Sequence, residues 1–226
     1  MAGRSGRCGD AFRQPSLYRW REEKGDRMTL RIIGKASSIN VRKVLWACEE
    51  LGLAYDRSDD GPELARNPNG LVPVIVDGDF VVWESNTILR YLAGRQGALS
   101  LLPTEPRARA EVEKWIDWQA TEFNSAWRYA FMALARKNPA FSDARQIEAS
   151  RQDWARMVGI LDAQLTTTKA YVAGPAFTLA DIPIGLSVNR WFLTPMQRPS
   201  FPAVDAYYEC LSNRPAFMKH GRNGTY

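Results

Sequence analysis

The sequence predicts a small α/β domain followed by an all-helical one, and two observations carry that prediction. Between positions 30 and 83, short apolar runs are cut by glycines, prolines and acidic turn residues, with one helical stretch among them. Past "GALSLLPTEPRAR" the apolar spacing becomes helical and stays so almost to the end. The 226 residues are 45% apolar, enough for one or two ordinary cores.

The elements follow in order. "TLRIIG" reads as a strand closed by Gly34. Val41, Val44, Leu45 and Cys48 then recur at helical spacing, and "ELGL" ends that helix at Gly52. "LAYDR" is a second strand, and "SDDGPELARNPNG" is a loop with room for about one helical turn. "VPVIVDG" and "FVVWE" are two strands joined by the hairpin signal "DGD". "SNTILRYLAGRQG" is a helix opened by Ser85 and closed near Gly94 or Gly97. The order from Leu30 to Gln96 is β-α-β-(short α)-β-β-α.

Residues 97–104 serve as a linker to an all-helical domain over 105–226. There "EVEKWIDWQATEFNSAWRYAFMALARK" and "DARQIEASRQDWARMVGILDAQL" are long helices, and "AYVAG" is a short strand candidate. "FTLADIPIGLSVNRWF" opens with Thr178 and Asp181 in capping-box spacing, Asp replacing the usual Glu. "FPAVDAYYECLSNRP" is a last amphipathic helix. Residues 1–27 show no periodicity and hold four acidic residues, unlike a transit peptide. They read as a disordered extension, with Met28 starting the fold.

Composition excludes much chemistry. His220 is the only histidine, which argues against histidine triads, His-rich zinc sites and imidazole bases. Cys8, Cys48 and Cys210 are odd in number and lack metal spacing, so neither a disulfide scaffold nor a metal is expected, and a reducing compartment is. No phosphate-cradle motif occurs. The first 27 residues carry seven Lys/Arg against four Asp/Glu, or +3 of the formal +5, leaving +2 elsewhere. That balance gives nucleic-acid binding little support. No run reaches the ~18 apolar residues of a membrane span, so a cytoplasmic protein is expected.

Two helix heads stand out. Glu84 and Ser85 sit where strand meets helix, and free N–H groups with a partial positive charge there make a carboxylate site. A plain N-cap with an acidic neighbour accounts for the same pair. "ASSINVRKVLWACEELGL" places two serines and an asparagine before an apolar helix, more hydroxyls than one cap requires.

Four pieces in this order, "SSINVRKVL", "NPNGLVPVI", "WESNTILRYLA" and the helical half with "FTLADI", resemble the cytosolic glutathione transferase family, especially its bacterial serine-type members. The resemblance covers about residues 29–220. It implies a thioredoxin-like N-terminal domain, glutathione as co-substrate without a metal, and transfer of its thiolate to small hydrophobic electrophiles or reduction of organic hydroperoxides. It implies a cis peptide at Val72–Pro73, with Val72 offering its N–H and C=O to the cysteinyl backbone of the ligand. Ser85 then holds the γ-glutamyl carboxylate and Glu84 faces its ammonium. Ser38, four residues before Arg42, has the spacing of the active serine in several serine-type members, and Ser37, five before, that of another class. Ser38 is the first choice, with Ser37 or Asn40 as helper or cap. A hydroxyl and a helix end stabilise a thiolate, and lowering a thiol pKa by two units takes about 2.7 kcal/mol.

Further expectations concern the acceptor and the partner. Trp115 and Trp118 read as core, and Asn124, Trp127 and Arg128 as acceptor pocket, with Arg128 suited to a carboxylate or nitro group. Glu122 is placed to help bind the γ-glutamyl ammonium, across a homodimer. Eight tryptophans exceed what two modest cores readily bury, so an exposed aromatic patch and a dimer are expected. Leu71 stands where the family commonly has Lys or Gln, and the chain between Tyr55 and Asn67 is about ten residues shorter than usual. Asn67 or Asn69 is the polar substitute at the glycine end. These departures favour an alternative, a non-catalytic binding or regulatory module on the same fold.

Overall fold

The computed structural model describes residues 29–226, so the expected extension 1–27 lies outside the described residues. Four strands, β1 (Leu30–Ile33), β2 (Tyr55–Ser58), β3 (Val74–Asp77) and β4 (Phe80–Trp83), form one sheet in the order β2-β1-β3-β4. β1 and β2 are parallel with Leu30 opposite Tyr55, while β3 pairs antiparallel with both β1 and β4. A parallel pair needs a crossover, and α1 (Ile39–Leu51) supplies it. The β3–β4 hairpin turns at Gly78, whose φ of 66° suits a residue without a Cβ. One 3₁₀ turn, Pro62–Arg66, occupies the loop that has room for a single turn. α2 (Ser85–Arg95) follows β4 and packs on α1.

The expected first long helix starts earlier than read and has two parts. α3 (Pro106–Trp118) and α4 (Asn124–Leu134) are joined by a π-helical turn, Gln119–Phe123. Glu105 opens α3 by accepting the N–H groups of Arg107 and Ala108, the ordinary way to satisfy a helix start. Then come α5 (Ala144–Thr168), α6 (Asp181–Leu193), α7 (Pro202–Ser212) and an unforeseen short α8 (Pro215–His220). "AYVAG" forms only an isolated bridge between Tyr171 and Gly174.

α1 is the axis of the molecule. The spacing of Val41, Val44, Leu45 and Cys48 identifies one buried face, yet Arg42, Lys43, Trp46 and Ala47 are buried as well. The reason is that α6 and α8 pack on α1 in addition to α2. At Gly185 on α6, a Cβ would stand 3.0 Å from the Trp46 ring and 2.7 Å from Leu211, so only glycine permits that approach. Glu50 on α1 accepts the Trp46 Nε1–H at 2.8 Å and the Arg214 Nε–H at 3.0 Å, and Arg214 also stacks 3.7 Å over Phe177.

Asp181 ties the second half together. Its buried carboxylate accepts from Val172 N (3.0 Å), Thr178 N (2.8 Å), Thr178 Oγ1 (3.1 Å) and Tyr207 OH (3.0 Å). Burial nevertheless raises its pKa to about 6, against the pull of those hydrogen bonds.

The tryptophan argument for an exposed patch fails. Trp46, Trp115, Trp127, Trp154 and Trp191 are buried, and Trp83 and Trp118 half-buried, because aromatic side chains pack on one another through α3, α4, α5 and α6. Among the described residues, the exposed large apolar ones are instead Leu71, Phe80, Leu99, Ile160 and Met218. Cys48 is a buried free thiol, pushed up to about 12 by burial, and is no nucleophile. Cys210 is not free, which the odd cysteine count did not foretell.

Candidate active site

The end of β1, the head of α1, the loop before β3 and the head of α2 converge. Gly34 makes this possible: with φ 143°, a Cβ there would lie 2.6 Å from Val41 and 2.8 Å from Val72. The Val72–Pro73 peptide is cis, as the resemblance implied. Val72 lies outside the strand, and neither its N–H nor its C=O takes part in a backbone hydrogen bond among the described residues. That leaves a free donor and acceptor beside the sheet, the pair an extended peptide requires.

Ser38 is the N-cap of α1, half-buried, and its side chain makes no capping hydrogen bond. Its hydroxyl is therefore uncommitted at the positive end of a helix. Ser37 is exposed. Asn40 links the two helix heads, its Oδ1 accepting from Ser85 Oγ at 3.4 Å.

At the head of α2, Glu84 is exposed and has φ 71°, a left-handed conformation unfavourable for a residue with a side chain. Ser85, the first helical residue, is 6% exposed. The carboxylate of Glu84 faces solvent while the free N–H groups of the first turn stand behind it.

The loop residues divide. Asn67 is buried and spends its amide on the loop, donating from Nδ2 to Leu71 O at 2.7 Å and accepting the Asn69 N–H at 3.0 Å. It is a brace and not a free polar substitute at the glycine end. Asn69 and Leu71 are exposed.

The acceptor residues expected on α4 separate in the same way. Asn124 is half-buried at the start of α4, and Arg128 is exposed. Trp127 departs from the expectation of an open pocket wall: it is 6% exposed, with Phe131 at 5.3 Å and Trp154 at 6.3 Å between centroids. Its ring is core because α4 packs flat on α5. Glu122 is exposed in the π-helical turn, accepts from the Thr121 hydroxyl, and borders a groove of about 450 Å³ between α4 and α5.

Sequence reasoning gave no role to a row of buried polar groups behind these helix heads. Lys43 Nζ donates to Asn86 Oδ1 at 3.2 Å and Gln119 Oε1 at 3.0 Å, and Gln119 Nε2 donates to Ser187 Oγ at 2.9 Å. The row runs from α1 through α2 and the π-helical turn to α6. Burial lowers Lys43 to about 7, Arg190 lowers it further, and Glu84 pulls the other way. The one available signal was a basic pair, "RK", inside an otherwise apolar helix. Among the described residues no group of three His, Cys, Asp or Glu is placed to hold a metal, and no helix is long and apolar enough to cross a membrane.

Comparison with known proteins gives a consistent answer. The family described as "Glutathione S-transferase, N-terminal domain" matches residues 37–95, and "Glutathione S-transferase, C-terminal domain" matches residues 125–215. The chain is 36% identical over 197 residues to glutathione S-transferase GstB of Escherichia coli, covering 82% of this chain and 94% of that one. It is 32% identical over 207 residues to glutathione S-transferase 3 of Zea mays, covering 84% and 92%. Among solved structures it is similar to a theta class glutathione S-transferase from Xanthomonas axonopodis pv. citri with glutathione bound. The TM-score there is 0.78 at 37% identity, over 85% of this chain and 96% of that one.

Proposed function

Since the chain belongs to the glutathione S-transferase family, we infer that its serine-type site works through Ser38. The protein is a glutathione S-transferase with glutathione as co-substrate, and the non-catalytic alternative is not favoured. The observation that carries the Ser38 reading is its hydroxyl, which caps nothing at the head of α1. Ser37 is the helper or cap, and Asn40 positions the head of α2 through Ser85.

In this reading the γ-glutamyl end binds at the head of α2, its carboxylate on Ser85 and the first-turn N–H groups and its ammonium near Glu84. The cysteinyl backbone pairs with Val72 beside Pro73, and Leu71 and Asn69 border the glycine end. The thiol loses its proton to solvent, and the thiolate accepts a hydrogen bond from Ser38 and the field of the α1 N-terminus. It then attacks an electrophilic carbon, forming a C–S bond as the C–leaving-group bond breaks and the leaving group departs with the electron pair. Asn124 and Arg128 line the acceptor side. A cytoplasmic location and a homodimer belong to the same reading, the dimer drawing on exposed Leu71 and Phe80 and on Glu122 at the α4–α5 groove. Sedimentation equilibrium at micromolar concentration tests the dimer, and one species of 25.5 kDa refutes it.

Thiolate absorbance against pH, with glutathione bound, tests Ser38 directly. Ser38→Ala is expected to raise the bound thiol pKa by about two units, equivalent to about 2.7 kcal/mol, and to slow conjugation. A titration moved only by Ser37→Ala overturns the choice of serine. Failure of the chain to be retained on immobilised glutathione overturns the binding site as a whole.

A further inference from the structure

The packing of α1 does not call for a lysine at position 43. Lys43 is 4% exposed in a group of buried cations, with Arg42 beside it on α1 and Arg190 acting on it from α6. The fold accounts for both arginines. Arg42 donates to oxygens of His220 (3.3 Å), Thr225 (2.9 Å) and Tyr226. The Arg190 guanidinium lies over the Trp127 and Phe131 rings, at 4.3 and 4.0 Å. Lys43 has two neutral acceptors among the described residues for its three N–H donors, Asn86 Oδ1 at 3.2 Å and Gln119 Oε1 at 3.0 Å. A buried ammonium bonded to no carboxylate costs stability, and an apolar side chain of its volume would suit the core as well or better.

What the ammonium holds is the head of α2. Ile88 is the residue whose N–H reaches back to Glu84 O, at 2.9 Å. The N–H groups of Ser85, Asn86 and Thr87 are thus the free donors of the first turn. Asn86 carries one of them on its backbone, and its side chain is held from two sides. Its Oδ1 accepts from Lys43, and its Nδ2 donates to Ile116 O at 3.2 Å, in the last turn of α3. Beyond Lys43 the row is anchored in the helical half. Gln119 Nε2 donates to Ser187 Oγ at 2.9 Å, and Ser187 Oγ donates in turn to Pro183 O at 2.9 Å. Gln119 stands in the π-helical turn, the kind of local distortion that often accompanies a functional site. Glu84 acts electrostatically on Lys43, so the charge of the lysine is felt at the head of α2 as well.

We propose that Lys43 is a positioning residue for glutathione: through Asn86 it fixes the head of α2 against Gln119 and Ser187, and it sets a positive charge behind the γ-glutamyl carboxylate site. This role rests on the transferase reading, and Lys43 fills it without touching the ligand. Donors aimed at a carboxylate work well only when held to within about 0.5 Å. A bonded lysine holds them there, where an apolar side chain would leave the start of α2 free to settle elsewhere.

Calorimetry with S-methylglutathione, which keeps the γ-glutamyl end and has no thiol to titrate, reads binding apart from chemistry. The parent chain is expected to bind it, and Lys43→Met to bind it about fivefold more weakly or worse. In conjugation of glutathione to chlorodinitrobenzene, the KM for glutathione should rise by a similar factor. The KM for the electrophile and kcat should stay within about twofold, the pattern of lost ground-state binding. Gln119→Leu removes a hydrogen-bond partner of Lys43 and none of α2. It should weaken binding in the parent and add nothing in Lys43→Met, because both act through one row. Unchanged affinity in Lys43→Met overturns the proposal, as do equal rises in both KM values or additive losses from the two substitutions. A parent chain that binds no S-methylglutathione overturns the transferase site together with it, whereas a binding parent matched by Lys43→Met overturns the role of Lys43 alone.

Discussion

The head of α2 and the buried cluster on α1 and α6 handle charge in opposite ways. At α2, Glu84 is exposed and the polar groups are helix-end N–H donors, so the zwitterionic ligand proposed there would meet charge that water has already solvated. At the cluster, Arg42, Lys43 and Arg190 are stripped of water by the fold itself. The first arrangement costs the folded protein little and depends on a few consecutive residues. The second costs stability and depends on helices brought together from across the chain. Asp181 supplies the third corner, since it is just as buried as the cations but accepts four hydrogen bonds.

The largest effect should come from breaking the satisfied charge. Asp181→Ala leaves the N–H groups of Val172 and Thr178 and the Tyr207 hydroxyl without their acceptor, at about 1–3 kcal/mol for each buried group. A loss of about 3–5 kcal/mol in urea unfolding is expected. Arg190→Met, by contrast, replaces an uncompensated buried cation with apolar volume, and should be neutral or stabilising by about 1 kcal/mol. Comparable destabilisation by the two changes would erase the distinction between them.

Next in size is the exposed side of the comparison. In the proposed binding mode, Ser85→Ala removes one charge-assisted hydrogen bond to the γ-glutamyl carboxylate, worth about 1.5–3 kcal/mol. Titration calorimetry should show glutathione bound roughly tenfold more weakly or worse. The unfolding midpoint should barely move, because Ser85 Oγ has only the long 3.4 Å bond to Asn40 to lose. An unchanged affinity removes the head of α2 from the site.

The same contrast explains what the sequence disclosed. The strand and helix order, the single turn at Pro62–Arg66 and the helix heads at Ser38 and Ser85 are all local, set by apolar period, turn residues and caps. They could be read because each signal lies within a dozen residues. The row Lys43, Asn86, Gln119 and Ser187 spans separations of 43, 76 and 68 residues at its three hydrogen bonds, and no period connects them. Trp127 was misread because an aromatic on an amphipathic helix looks alike whether it faces a pocket or, as here, Trp154 and Arg190. The π-helical turn at Gln119 left no mark in the pattern, although it carries the side chain that bridges Lys43 to Ser187.

The smallest effect is a pH dependence that isolates Lys43. The groups facing it are Arg190 from α6 and Glu84 from the head of α2, with Arg42 beside it on α1. Its folded pKa, about 7, lies below the ordinary 10.5. Between those values the unfolded chain binds more protons than the folded one, so the lysine's contribution to stability rises with pH through that window. Below about pH 7 it is protonated in both states, and the cost of its buried charge is fully present. Lys43→Met removes the titration and keeps most of the volume, so the variant should gain most over the parent at and below neutral pH. Urea unfolding of both proteins at pH 7 and pH 8 cancels every other titrating group in the difference. The advantage of the variant should shrink by about 1 kcal/mol across that unit. A difference independent of pH would mean that Lys43 is neutral or fully compensated throughout, and the contrast with the solvated head of α2 would then rest on the two arginines alone.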